Sequence, residues 1–166
     1  MDVKSSQATG NAAMHYVAWQ LSKKGWNVMP TTRNAKGSDL YCANDAETII
    51  FGVQSKGLSK RAPVGLGSNL SNLRSDWWII TINAKSDTPT CFIMTRQEVI
   101  DLCFHSDPAK SRAGVQSYWL QPKAYDQPRF RDAWHRLSTP PGPEDEIYPS
   151  LAAPSRKAAA ASPPAP

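Results

Sequence analysis

Apolar residues recur along the first half of the chain with two different periods. From Asn11 to Lys24, Met14, Val17, Ala18 and Leu21 fall at i, i+3, i+4 and i+7, while Gln20, Lys23 and Lys24 lie off that face. The pattern predicts a helix over 11–24 closed by Gly25, since glycine enters the left-handed conformation of a helix C-terminus most cheaply. Trp26 to Met29 starts an extended segment ahead of Pro30. Ser38–Ala43 and Thr48–Ser55 read as two strands of a hairpin joined through Asn44-Asp45. Trp77–Ile82 and Thr90–Met94 are β-rich runs, Arg96–Cys103 a helix, Ser117–Leu120 a short strand and Pro128–Leu137 a last helix. Gly57–Asn72, rich in Gly, Ser, Asn and Pro, reads as a long loop, which is uncommon in a compact domain unless it binds something. The order predicts a mixed sheet with helices packed on its faces, the α/β or α+β class.

Composition sets the limits of that domain. From Ser138 onward the chain holds eight of its fourteen prolines and almost no large apolar side chains, so it cannot build a core. The expected organisation is one folded domain over 1–138 and a disordered Pro/Ala-rich tail over 139–166. Removing the tail raises the net charge from +5 to +6, because residues 1–138 carry 17 basic and 11 acidic groups. That surplus points toward polyanions such as nucleic acid. No apolar run reaches the ~20 residues of a membrane-spanning helix. The N-terminus lacks the apolar segment of a signal peptide, and a cytoplasmic location is expected. Cys42, Cys91 and Cys103 are odd in number and widely spaced, which suggests reduced packing residues rather than disulfides or a zinc site.

One constellation carries chemistry. Asp39 stands at the start of the first hairpin strand and Gln54-Ser55-Lys56 at the end of the second, so antiparallel pairing brings the two together at one sheet margin. Gln54 and Lys56 are two apart and share a face. Asp39, the Gln54 amide oxygen and the Ser55 carbonyl are hard oxygen donors of the kind Mg2+ accepts while keeping several waters. An ion held there would acidify a water and polarise a phosphoryl oxygen, and Lys56 would orient that water or neutralise transition-state charge. Lys36, Lys60, Arg61 and Arg74 lie in a basic stretch suited to phosphate contacts.

In these elements, GNAAMHYVAWQLSKKGWNV, KGSDLYC, IIFGVQSKG and WWIITIN, the chain resembles the PD-(D/E)XK phosphodiesterase superfamily over about residues 10–83. The resemblance implies a restriction-endonuclease-like core of αβββαβ order with the hairpin in its middle. It implies a metal-dependent endonuclease acting on DNA, with Mg2+ or Mn2+ as cofactor. The Gln of VQSKG is similar to the QxK variant of Mrr-like restriction endonucleases. Many relatives place a Glu of the first helix at the metal, where this chain has Met14; His15 and Gln20 are the candidates for a helix contribution. Homodimerisation, which would set two sites on opposite strands, is a further expectation.

Plainer readings stand beside these. Asp39 serves equally as a turn residue bonding local N–H groups. Gln54 and Lys56 serve as polar residues at a strand end, and the basic stretch as a solvated loop. The tryptophans read as core and cap, with one exposed ring open to stacking on unpaired bases. The competing function classes are a catalytically inactive nuclease-fold module that binds DNA or protein, and an interaction or immunity-type protein on the same scaffold.

Overall fold

Four small or branched residues set the first helix against the sheet: Thr9, Ala13, Val17 and Leu21 are buried at successive steps of four along α1 (Val3–Lys23). The computed structural model describes residues 3–32, 37–106 and 116–138; Lys36 and the stretch 139–166 expected to form a tail lie outside them. Gly25, at φ +86°, closes α1 as expected. The helix begins eight residues earlier than its apolar period indicates. The reason is a close approach that no hydrophobic pattern encodes. A Cβ on Gly57 would stand 2.6 Å from the Thr9 carbonyl oxygen and from the Ala13 methyl, so only a bare glycine lets the strand end seat against the start of the helix.

Next come β1 (Asn27–Pro30), β2 (Leu40–Ala43), β3 (Ile50–Gly57), β4 (Val64–Gly67), β5 (Trp77–Ile82) and β6 (Thr90–Thr95). They are followed by α2 (Arg96–Asp101), β7 (Phe104–His105), β8 (Tyr118–Leu120) and α3 (Pro122–Tyr125). The main sheet runs β1-β2-β3-β5-β6, mixed because β3 and β5 are parallel while the other pairs are antiparallel. A small antiparallel sheet, β4-β8-β7, packs over part of it. All six residues of β5 are buried, as befits a central strand covered on both faces. Phe51, Val53, Trp77 and Ile79 face α1; Trp78, Ile80, Phe92 and Met94 face the small sheet together with Val64, Leu66, Leu120 and Tyr125. Trp77 and Trp78 are therefore both core, one in each layer.

Three expected elements differ. The stretch Gly57–Asn72 is not one loop but holds β4 and a 3-10 turn at Leu70–Asn72, in the crossover between β3 and β5 where the implied order puts a helix. The expected helix over 128–137 is instead an irregular run ending in a 3-10 turn at Trp134–Ser138. Its first part caps the free edge of β6: Ile93 N–H donates to Phe130 O at 2.9 Å and Asp132 N–H to Cys91 O at 2.7 Å. An open edge must be covered, and that demand outweighs local helical spacing. The hairpin turn spans 44–49, closed by the Asn44 side chain, which accepts from Ile49 N–H and donates to Thr48 Oγ1, each at 2.9 Å. Further along, α2 starts at Arg96 as expected, because Thr95 and Glu98 form a reciprocal capping box.

The cysteines are free thiols. Burial pushes Cys42 and Cys91 up to about 12, with Thr81 opposing and Asp132 reinforcing the shift at Cys91. At pH 8 the native protein should accordingly label at Cys103, which is half-buried, while Cys42 and Cys91 react only on unfolding; mass spectrometry after alkylation reads this. Gly57→Ala should lower stability by about 1–3 kcal/mol in urea unfolding, because the added methyl meets the α1 backbone rather than a flexible side-chain tip.

Candidate active site

Pairing between β2 and β3 ends at Leu40 and Val53, and the site forms where it stops. Asp39 continues the ladder by one main-chain bond, its N–H donating to Val53 O at 2.9 Å. Its side chain then takes over. Asp39 Oδ2 accepts from Ser55 N–H at 2.8 Å and from the Gln54 amide Nε2. A carboxylate thus replaces the missing strand partner. The N–H and C=O of one strand residue point the same way, so the Ser55 carbonyl is directed toward the same margin as Asp39.

Alternation along β3 sorts the remaining groups. Phe51, Val53 and Gly57 turn to α1, so Gln54 and Lys56 turn to the opposite face. Lys56 is half-buried, its Nζ 5.6 Å from the centroid of the Trp78 ring, and Trp78 lies across from Gln54 in the parallel register. A buried indole beneath an ammonium holds it by the attraction of cation to ring face and limits where its stem can lie. The three expected residues Asp39, Gln54 and Lys56 therefore stand at one margin, with Asp39 and Gln54 in direct contact.

The helix residues do not join them. His15 is exposed off the stripe that faces the sheet, and the Gln20 amide donates to Tyr16 Oη at 2.8 Å, both on an element that packs the other face. Among the described residues no three His, Cys, Asp or Glu side chains gather into a metal cluster. Asp76, which sequence reasoning passed over, sits just ahead of β5 and accepts from Gly52 N–H at 2.7 Å, while Ser38 and Ser75 bond beside it at 2.9 Å. These contacts tie the approach to β2, and β3, to the start of β5.

The basic residues part company. Arg61 is committed to Asp126 at 2.6 Å, and Arg131 holds the other oxygen of that carboxylate at 2.8 Å. Burial works against the Asp126 charge, but the two guanidiniums outweigh it and hold the carboxyl below its ordinary value. Lys60 and Arg74 are exposed. Arg74 precedes β5 on the Asp39 side, whereas Lys60 follows Leu58, whose N–H donates to Thr81 O near the far end of β5. They stand toward opposite ends of β5. A cavity of about 450 Å³ lined by Lys24, Trp26, Asn44, Ile49, Trp134 and His135 opens at the other end of the hairpin and takes no part.

A divalent cation fits the donors present in one respect and strains them in another. One carboxylate, one amide and one backbone carbonyl are all hard oxygen ligands, enough for an ion that keeps most of its waters. The Gln54 amide, however, turns its NH2 to Asp39, so its oxygen reaches an ion only after the amide rotates.

No protein-family model and no curated protein matches the chain. Solved structures do. The bacterial homing endonuclease I-Ssp6803I is similar over 80% of this chain and 93% of its own, at 17% identity and a TM-score of 0.52. Hjc, a Holliday junction resolvase from Archaeoglobus fulgidus, aligns over 67% of this chain and 89% of its own, at 10% identity and a TM-score of 0.45. The homing endonuclease has the restriction-endonuclease-like fold, and this chain shares that fold.

Two outcomes test the geometry without any activity assay. Gln54→Glu sets a second carboxylate against Asp39, so its melting temperature in EDTA at pH 7.5 should drop by about 5 °C. Mutual repulsion raises one carboxyl pKa, so the deficit should shrink as pH falls toward 5, and added Mg2+ or Mn2+ should restore the melting temperature of this variant more than that of the wild type. Asp126→Asn should cost about 0.5–1 kcal/mol at pH 7. Because the folded carboxyl is depressed, that contribution is present above the unfolded value and vanishes as pH falls through the folded one; chemical denaturation at pH 7 and pH 3 measures both ends.

Proposed function

We propose that this restriction-endonuclease-like chain is a metal-dependent endonuclease that hydrolyses DNA phosphodiester bonds, with Asp39, Gln54 and Lys56 as its working residues. The observation that supports the reading most is the contact of Asp39 with Gln54 and the Ser55 N–H at the margin where Lys56 also stands. Asp39, the Gln54 oxygen after rotation, and the Ser55 carbonyl would hold Mg2+ or Mn2+, which when bound supplies Lewis acidity and a more acidic water. Lys56 places its positive charge beside the phosphoryl oxygens, where negative charge grows in the transition state. Trp78 below it narrows the positions the ammonium can take. Lys60 and Arg74, one toward each end of β5, suit well-separated phosphates of a DNA backbone, and the overall charge of +5 suits a polyanion. A homing endonuclease shares the fold, which keeps DNA first among polyanions. Two copies side by side would address both strands of a duplex.

The second reading is an inactive nuclease-fold module that binds DNA or protein. The observation favouring it is that the Asp39 carboxylate is already occupied by an amide donor, with no cluster of three metal-ligating side chains among the described residues. Plasmid nicking separates the two. Wild type should nick in Mg2+ or Mn2+ and not in EDTA, and Asp39→Ala and Lys56→Ala should each lower the rate by about 10²–10³-fold with unchanged circular dichroism. Equal nicking by all three proteins would mean a contaminating nuclease. Binding of DNA with no nicking by well-folded wild type in either metal would establish the inactive module.

A further inference from the structure

The small sheet carries a surface that the hydrolytic reading does not use. In its register Gly65, Trp119 and Phe104 lie side by side across β4, β8 and β7, so they share one face. Val64, Leu66 and Leu120 alternate with them and fill the core beneath. The row therefore faces outward, yet it is aromatic: Phe104 is 55% exposed and Trp119 39%. Polar residues would satisfy the pleat equally well at such positions.

The indole is held flat. Its six-membered ring lies over Gly65, with Cζ3 and Cη2 3.5 and 3.8 Å from where a Cβ would stand, so the ring packs directly on the strand backbone. Its Nε1 donates to Ser117 Oγ at 3.0 Å, and Ser117 is in turn pinned to Ser106 by a hydroxyl contact of 2.9 Å and an N–H bond of 3.0 Å. The polar edge of the ring is satisfied and its outer π-face is open. Such a ring has little rotamer freedom left to lose on binding.

The surrounding charge narrows the occupant. Lys60 and Arg61 precede β4 and Lys123 follows β8 in α3. Asp126, the acid nearest in sequence after β8, is shared between Arg61 and Arg131 and cancelled by them. Among the described residues Asp101, at the end of α2, is an opposing charge, and it accepts from Gln97. Flat, open aromatic faces within a cationic border match the recognition of single strands, where bases stack on rings and phosphates meet Lys and Arg. A duplex hides its base faces and offers groove edges, sugars and phosphates instead.

We infer that the Gly65–Trp119–Phe104 face is a stacking platform for unpaired bases of single-stranded DNA, separate from the Asp39 margin. The test uses the full chain in EDTA, so it is read with no cleavage and stands or falls independently of the hydrolytic reading. Fluorescence anisotropy of a labelled oligo-dT, the same-length duplex and an abasic strand of equal charge gives three affinities. Oligo-dT should bind tightest and quench tryptophan emission. Trp119→Ala and Phe104→Ala should each weaken oligo-dT by about tenfold, leave the abasic strand unchanged, and keep the wild-type melting temperature; Trp119→Phe should recover part of the loss. Equal affinity of wild type for oligo-dT and the abasic strand would overturn the inference. So would unchanged oligo-dT binding by both alanine variants, or a wild-type dimer in sedimentation that Trp119→Ala dissolves, since that would assign the face to a second copy.

Discussion

The structure depends on β3 being paired on both sides and covered on both faces. Every second side chain of this strand is dedicated to the layer under α1, which leaves the alternate set free to be polar only where the opposite layer stops. That happens at the strand's C-terminal end. There β2 has run out, the Ser55 N–H has lost its strand partner, and Asp39 satisfies it with a carboxylate oxygen. A buried or half-buried main-chain donor left unmade is costly, so this acid has a folding role before it has any chemical one. The candidate site and the end of the ladder are the same place.

That coincidence explains why the metal question is poised. Asp39 already neutralises part of its need for partners through Ser55 and Gln54, and the amide does what a cation would otherwise do for the carboxylate. A Glu in place of Gln54 would make the pair repel without an ion and attract with one. The glutamine instead lets the margin fold stably with no ion bound, at the cost of one negative charge for holding the metal. Lys56 is similarly shared: its stem and charge rest on Trp78, a residue that also anchors the second core.

The basic stretch shows how tertiary contacts redistribute charge. Read along the chain, Lys56, Lys60, Arg61 and Arg74 form one cationic run. Folded, Arg61 turns to Asp126, a residue 65 positions away, and Lys60 and Arg74 separate to opposite ends of β5. Nothing in their spacing could reveal this, because the run is interrupted by a strand that pairs with β8. Pairing of β8 with β4 and β7 leaves Trp119 and Phe104 on an exposed face, while Tyr125 and Phe130 are buried.

Sequence pattern by itself determined the later turns of α1, the β2–β3 hairpin, the existence of β5 and the grouping of Asp39 with Gln54 and Lys56, since each of these follows from side-chain spacing or from which strand ends must lie adjacent. Burial of Cys42 and Cys91 was equally legible in their chemistry. Tertiary structure alone decided the rest: the extra turns of α1 that seat against Gly57, the strand hidden in the Gly/Ser-rich stretch, and the irregular run that caps β6 where helical spacing suggested a helix. Those elements exist because an edge had to be covered or a face filled by residues distant in the chain. Local patterns record a residue's own preference for a face, whereas a missing hydrogen-bond partner is known only once the neighbouring strand is in place.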